Sequence, residues 1–308
     1  MVKKSVTSYD VAKAAGVSQS AVSRAFSAKA PIAPETRQHI RKVAAELGYQ
    51  PNAIARSMSA ARNDPNQRSG ITGLIVTRPE DPFFSETIAM ISRSLQAQGW
   101  QVMLFTVDSE AEVDGALASL LQFKVDGVMI LSAILSGRMA AACRDQGIPV
   151  LLYNRQAGDS GVSSVLVDNR EGGAIAAACL LDAGHRRIAF LGGDAQDATS
   201  REREEGFREG LAAAGSDLFC REYGDYTFDG GAEAAMRLFS RTAKPDALFC
   251  ASDVMALGVL HTARNRLGLD VPQDFSLLGF DDIPSAAWPG HGLSTIRQPV
   301  RRMIRQAV

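Results

Sequence analysis

The chain has 308 residues, 46% hydrophobic and 22% charged, with 27 glycines and 12 prolines. That length suits more than one domain, and the balance is that of globular chains, which excludes wholesale disorder, collagen and coiled coil. The cysteines Cys143, Cys179, Cys220 and Cys250 stand 30 or more residues apart without a CxxC pair, which argues against zinc and for reduced, mostly buried thiols in a cytoplasmic protein. No apolar run reaches the ~18 residues of a membrane span, and Met1-Val-Lys-Lys is followed by polar residues, not by the apolar stretch of a signal peptide.

The charge is unevenly placed. Residues 1–62 hold ten Lys and Arg, among them Lys3, Lys4, Arg24, Arg37 and Arg41, against Asp10, Glu35 and Glu46, a net of +7. The whole chain sums to −1, so the remainder carries −8. A basic head on an acidic body points to a polyanionic partner for the head.

In chain order, Thr7-Ser-Tyr-Asp10 has the form of a capping box and predicts a short helix through Val11–Ala15, stopped by Gly16. Ser18 is placed to cap a second helix through Ser20–Phe26, with Ala12, Gly16 and Val22 at the spacing of two closely crossing helices. That is a helix-turn-helix pattern. Pro34 suits the first turn of a third helix, ended by Gly48, whose Ile40, Val43, Ala44 and Leu47 cover the first two. In such a motif the second helix enters the major groove, where Gln19, Ser20 and Arg24 reach base edges; Arg24 can hold a guanine through two hydrogen bonds and Gln19 can pair an adenine.

The run from Ser8-Tyr-Asp-Val-Ala-Lys-Ala-Ala-Gly to Arg24-Ala-Phe, followed by Pro34-Glu-Thr-Arg through Gly48-Tyr-Gln-Pro-Asn-Ala-Ile-Ala-Arg-Ser-Met58, resembles the DNA-binding head of lac-repressor-type (LacI/GalR) transcription factors. The resemblance implies contacts to a pseudo-palindromic double-stranded operator from Ser8, Gln19, Ser20, Ala21, Ser23 and Arg24. It also implies a hinge helix over 52–59 that orders on DNA, with Asn52, Ala55 and Met58 at the minor groove. Ala55 is small enough for two hinge helices to approach, and Met58 stands where the family usually inserts a leucine. A nine-residue helix is marginal alone in water, so coupling its folding to DNA is physically sound.

A polar, turn-rich linker spans 61–70. Beyond it, strands are expected at Ile71–Val76, Gln101–Val107, Gly127–Leu131 and Val150–Tyr153, with helices at Glu86–Gln98, Glu110–Gln122 and Arg138–Gln146. The alternation restarts with strands at Val165–Val167, Ile188–Leu191, Ala247–Cys250 and Phe275–Leu278, and helices near Glu171–Leu181, Glu202–Ala214, Gly231–Phe239 and Val254–Arg266. Successive βα units mean parallel sheets covered by helices, and two such halves imply two lobes around a cleft.

Ligands bind at the carboxyl ends of strands in such sheets. Those loops carry Asp81-Pro-Phe-Phe84, Asn154-Arg155, Ser252-Asp253 and Asp281-Asp282, a mixture of aromatic plates and polar forks suited to a sugar-sized ligand. Asp253 reads equally well as a helix cap, and Asp281-Asp282 as a strand-end turn. The body also resembles the periplasmic-binding-protein-like effector domain of the same family, through Leu-Leu-Tyr-Asn154-Arg, Ser200-Arg-Glu-Arg203, Ala251-Ser-Asp-Val-Met and Leu278-Gly-Phe-Asp-Asp-Ile. By motif position the effector contacts implied are Phe83, Phe84, Asn154, Arg155, Arg203, Tyr226, Ser252, Asp253 and Asp281. Relatives often carry Asn where Ser252 stands, and two arginines leave a sugar acid open beside a neutral sugar.

The fold class expected is therefore an N-terminal all-α helix-turn-helix head with hinge helix over 1–60, followed over 71–308 by an α/β periplasmic-binding-protein-like effector domain of two Rossmann-like lobes. The first lobe takes about 71–158 and 292–308, the second about 162–290. Family members continue beyond the helix that follows Arg297-Gln-Pro, whereas this chain stops at Val308; no leucine heptad follows, which disfavours a tetramer. Gly158-Asp-Ser-Gly161 lacks the setting of a serine-protease triad. Gly192-Gly193 is no dinucleotide or Walker motif, and His39, His185, His261 and His291 are dispersed, so neither cofactor nor metal is expected. A homodimeric repressor of a carbohydrate operon, released by a sugar or sugar-acid effector, is the function implied, with a corepressor-dependent or activating member as the alternative. A solute-binding protein would lack the basic head, and an enzyme would show a paired acid and base or a cofactor loop.

Overall fold

The computed structural model describes residues 6–26, 30–50, 68–131, 135–157 and 161–308. The expected hinge with Asn52, Ala55 and Met58, most of the linker, Lys3, Lys4 and the Asp159-Ser160 pair lie outside the described residues. The chain divides into two compact units, one built on the N-terminal helices with the segment Leu121–Asp126, the other on Thr72–Leu120 and Gly127–Val308.

In the head, α1 (Ser8–Ala15) starts on the capping box: Thr7 Oγ1 accepts from Asp10 N–H while Asp10 Oδ2 accepts from Thr7 N–H at 2.9 Å. Gly16 ends it in the left-handed conformation at φ 64°, and Ser18 caps α2 (Gln19–Ala25). The third helix, α3 (Pro34–Leu47), covers both, and Val11, Ala12, Val22, Ala25, Ile40 and Ala44 form the mini-core. Leu47, expected in that core, is 39% exposed. It lies in the last turn of α3, and the packing there passes to Tyr49, whose ring meets Phe26 edge-on at 5.8 Å. Arg37 and Arg41 both donate to the Ala25 carbonyl, at 3.3 and 3.2 Å, so two head cations satisfy the end of α2.

The body alternates strands and helices: β1 (Ile71–Thr77), α4 (Pro82–Ala97), β2 (Gln101–Val107), α5 (Val113–Leu121), β3 (Gly127–Leu131), α6 (Gly137–Asp145), β4 (Val150–Tyr153) and β5 (Ser163–Val165). They are followed by α7 (Asn169–Asp182), β6 (Ile188–Gly192), α8 (Ala198–Ala213), β7 (Cys220–Tyr223), α9 (Phe228–Phe239), β8 (Ala247–Cys250), α10 (Asp253–Thr262), β9 (Ser276–Asp281), β10 (Ser294–Arg297) and α11 (Val300–Ala307). Two five-stranded sheets result, with orders β2-β1-β3-β4-β5 and β10-β9-β8-β6-β7.

Several elements differ from expectation. The strand placed at 165–167 spans 163–165 and pairs with β4 in parallel, Tyr153 opposite Val165, so it closes the first sheet and does not open the second. Strands β7 and β10 carry too little continuous apolar sequence to be read as strands, because they are sheet edges with exposed positions. Residues 294–297, expected with the first lobe, pair with β9 in the second sheet. Only α11 returns, its Met303 and Ile304 joining Leu74, Phe83, Phe84 and Ile91 in one cluster. The segment expected as one helix over 110–122 opens with a 3-10 turn at Glu110–Glu112 before α5.

The second core is organised by Phe190, Phe207 and Phe249, whose ring centroids lie 5.0 to 6.0 Å apart. Helices α7 and α8 cross in near backbone contact: a Cβ at Gly206 would overlap the Arg170 carbonyl, and one at Gly173 would overlap that of Arg203. Asp253 ties the carboxyl ends of this sheet together. Fully buried at the start of α10, it accepts from Ile283 N–H at 2.9 Å and from Thr295 Oγ1 at 2.6 Å. Burial pushes its carboxyl up to about 6, although these two donors oppose the shift.

Two stability predictions result. Gly206→Ala should destabilise the second unit by about 2–3 kcal/mol by forcing α7 and α8 apart, measured as a fall in calorimetric Tm. For Asp253, a carboxyl whose folded pKa exceeds its unfolded value binds more protons in the native state, so its contribution is largest at low pH and is lost as pH climbs. Between pH 4 and 7 the wild-type urea midpoint should fall relative to that of Asp253→Asn, by the equivalent of about 2 kcal/mol; parallel pH profiles would refute the assignment.

Candidate functional site

Two surfaces concentrate polar side chains. On the head, α2 buries Val22 and Ala25 and leaves Gln19, Ser20, Ser23 and Arg24 exposed, with Ala21 half-buried beside them. Gln19 Nε2 donates to Ser8 Oγ at 2.8 Å, so the partly covered Ser8 at the start of α1 orients the first residue of α2. Ser18 Oγ and Ser20 Oγ lie 2.9 Å apart, and Arg24 Nε reaches back to the Ser20 carbonyl at 3.4 Å. One helical face thus presents an amide, hydroxyls and a guanidinium in the two turns after the cap.

In the body, the carboxyl ends of strands from both sheets converge on a cleft. Its inner part is lined by Arg78, Asp81, Phe83, Phe84, Asn154, Asp197, Thr199, Arg203, Tyr226, Asp281 and Gln298. Of the residues singled out from sequence, Phe83, Phe84, Asn154, Arg203, Tyr226 and Asp281 are brought together here. Arg155 lines the outer part instead, with Asp108, Ser109, Asp194 and Asp225. Ser252 and Asp253 are not at either wall. Ser252 caps α10 through Met255 N–H and Asp253 is the buried tie already described, so their position after β8 reflects helix initiation. Sequence reading missed Arg78, Asp197, Thr199 and Gln298, and quoted Asp81 without assigning it. Asp81 and Asp197 were accessible as cap residues ahead of α4 and α8, and Gln298 stands in the Arg297-Gln-Pro run, but nothing local says that these caps face a ligand.

Arg203 is the electrostatic centre. It is 2% exposed, donates from Nε to Asn169 Oδ1 at 3.0 Å and from NH1 to the Ala251 carbonyl, and stacks 3.7 Å over the Phe280 ring. Its NH1 stands 3.6 Å from Asp281 Oδ1, which also accepts from Gln298 Nε2 at 2.6 Å. Burial drives the Asp281 carboxyl well above its usual range against the pull of Arg203, with the Asp253 and Asp81 carboxylates adding to the rise. Asp81, capping α4 through Phe83 N–H at 2.9 Å, is raised mainly by burial as well. Such carboxyls accept hydrogen bonds when ionised and can donate one when protonated. The rings of Phe83 and Phe84 meet edge-on at 5.2 Å and give the cleft its apolar wall.

These features can be set beside known proteins. Residues 69–304 match the family described as periplasmic binding proteins and sugar binding domain of the LacI family, and residues 7–52 match the bacterial regulatory proteins of the lacI family. The chain is 33% identical over 305 residues to the HTH-type transcriptional repressor PurR of Pectobacterium carotovorum subsp. carotovorum (strain PC1), covering 97% of this chain and 87% of that one. It is also 33% identical over 305 residues to the HTH-type transcriptional regulator CelR of Thermobifida fusca, covering 96% and 88%. Among solved structures, the lac repressor dimer bound to operator and the anti-inducer ONPF is similar with a TM-score of 0.84 at 26% identity, over 99% of this chain and 91% of that chain. With a lacI-type head and a sugar-binding-type body matched in sequence, this chain belongs to the LacI family of DNA-binding transcription regulators.

Proposed function

We propose that this regulator is a repressor of carbohydrate-utilisation genes, released when a neutral, polyhydroxylated effector of sugar size binds at the Arg203–Asp281 end of the cleft. The carrying observation is the charge of the cleft walls: Arg78, Arg155 and Arg203 face Asp81, Asp108, Asp194, Asp197, Asp225 and Asp281. Even with Asp81 and Asp281 protonated, an anionic sugar acid or phosphate would meet more carboxylates than guanidiniums, and two of the arginines already have aspartate neighbours, Arg155 beside Asp197 and Arg203 beside Asp281. A neutral polyol suits the same walls, because each hydroxyl both donates to a carboxylate and accepts from a guanidinium or amide. Phe83, Phe84 and Tyr226 offer faces for its C–H surface.

On this reading Phe83, Phe84, Asn154, Arg203, Tyr226 and Asp281 hold the effector, and the exposed face of α2 reads the operator. Two copies of the chain bind a pseudo-palindrome, one recognition helix per half-site. The protein works in the cytoplasm by binding, without catalysis, metal or cofactor. No helix among the described residues is long and apolar enough to cross a membrane.

In a thermal-shift panel, one chemically coherent set of neutral sugars should stabilise the protein, by about 2.7 kcal/mol at 100 times Kd, and Arg203→Met should abolish the shift. Stabilisation by sugar acids or phosphates alone would overturn the effector class. On an operator selected from a random duplex pool, Arg24→Ala should weaken binding by about 1–3 kcal/mol and relax preference at one base pair, measured by titration at fixed salt. Equal affinity for selected and scrambled duplexes would overturn specific recognition.

A further inference from the structure

The cleft is divided. Its inner chamber, where Arg203, Asp281 and Asn154 stand, has a volume of about 20 Å³, room for water but not for a sugar, whereas the outer chamber has about 310 Å³. Arg78, Asp197 and Tyr226 line both, so they form the partition. Asp197 Oδ2 accepts from Tyr226 Oη at 2.9 Å and from Ser200 N–H at 3.0 Å, and its Oδ1 accepts from Arg155 NH1. Burial alone would raise this carboxyl, but Arg155 and the other donors outweigh it and hold it below the usual range. The Tyr226 ring lies on the backbone of Gly193, where any Cβ would penetrate it, and Arg78 packs over the ring at 4.8 Å.

The partition is fastened across the cleft. Arg155 and Arg78 follow β4 and β1 of the first sheet; Asp197 and Tyr226 follow β6 and β7 of the second. The inner chamber falls far short of the ~300 Å³ at which ligand pockets begin. Because its walls come from both sheets, enlarging it means separating the lobes, which breaks the Arg155–Asp197 pair, or swinging Tyr226 aside, which breaks its bond to the Asp197 carboxylate that Arg155 holds in place.

We propose that the Arg155–Asp197 ion pair is the bolt of a gate whose leaf is the Tyr226 ring, and that the effector reaches Arg203 and Asp281 only when the bolt is drawn. Arg155 is then a positioning residue that sets effector affinity, and the size of ligand admitted, from outside the inner chamber. The inference rests on the inner chamber being the effector site. A closed bolt and an occupied chamber compete, so apparent affinity scales with the fraction of molecules already unbolted.

Hydrogen–deuterium exchange of the full chain without ligand tests the gate directly, using Arg155→Met and Asp197→Asn, the latter keeping an acceptor for the α8 cap. Exchange in 194–203 and 222–228 should quicken about 10-fold in both variants while β6 and β8 keep wild-type protection; unchanged exchange in both overturns the proposal. Any sugar that stabilises the wild type should bind Arg155→Met about 10-fold more tightly, and equal or weaker binding also overturns it. If the variants open in exchange but no sugar in the panel binds either protein, the gate stands and the carbohydrate reading fails.

Discussion

A guanidinium removed from water must be compensated on every side, and Arg203 imposes that requirement on the second half of the body. Its compensation comes from three separate stretches of chain: the Asn169 amide that opens α7, the Ala251 carbonyl after β8, and the end of β9, which supplies the Phe280 face and the Asp281 carboxyl. None can move far without stranding the charge. The same residue's backbone sets the approach of α7 to α8, since Gly173 is required where the Arg203 carbonyl presses on it. Helix packing and pocket chemistry are thus two aspects of one constraint.

The strand ends meet that constraint with unusual backbone. Arg78, Asn154, Asp225, Tyr226, Asp281 and Asp282 all have positive φ outside glycine, and each closes a strand or lies within three residues after one. Such conformations cost on the order of 1 kcal/mol or more apiece and persist only where surroundings over-determine them. Here the compensation is visible: Asn154 N–H donates to Val165 O at 2.9 Å, and Asp281 is held by Gln298. The helix caps are drawn into the same work. Asp81 and Asp197 line the cleft while capping α4 and α8, so their carboxylates are anchored by backbone donors and favoured by the positive ends of the helices.

Local chemistry was legible in the sequence wherever partners lie within a few residues. The Thr7–Asp10 box, the Ser18 cap and Gly16 and Gly48 announced the head helices, and the β-branched runs announced the central strands. Edge strands β7 and β10 were not legible, because an edge with half-exposed residues carries no continuous apolar signal. The place of β5 was hidden for a different reason: a three-residue strand before a helix looks like the opening of a βα unit, and only its pairing with β4 assigns it to the first sheet. Asp253 shows the limit most clearly. Its position after a strand suggested the cleft, yet its partners Ile283 and Thr295 lie 30 and 42 residues away and turn it into the core. Arg155 and Asp197, likewise 42 residues apart, meet only because two sheets face each other.

Charge counting misleads in the same way, since a cation's effect depends on what already occupies it. The head's excess of +7 points to a polyanionic partner, but Arg37 and Arg41 are turned onto the Ala25 carbonyl and hold α3 against α2. Removing either would loosen the recognition helix before it weakened attraction to phosphate. In the body the converse holds: the arginines that leave a sugar acid open from sequence stand among more numerous aspartates, so the wall they share is not a site of positive potential. For an effector, such a wall rewards correct hydroxyl geometry more than charge, because every misplaced hydroxyl leaves a buried donor or acceptor unmatched at about 1–3 kcal/mol.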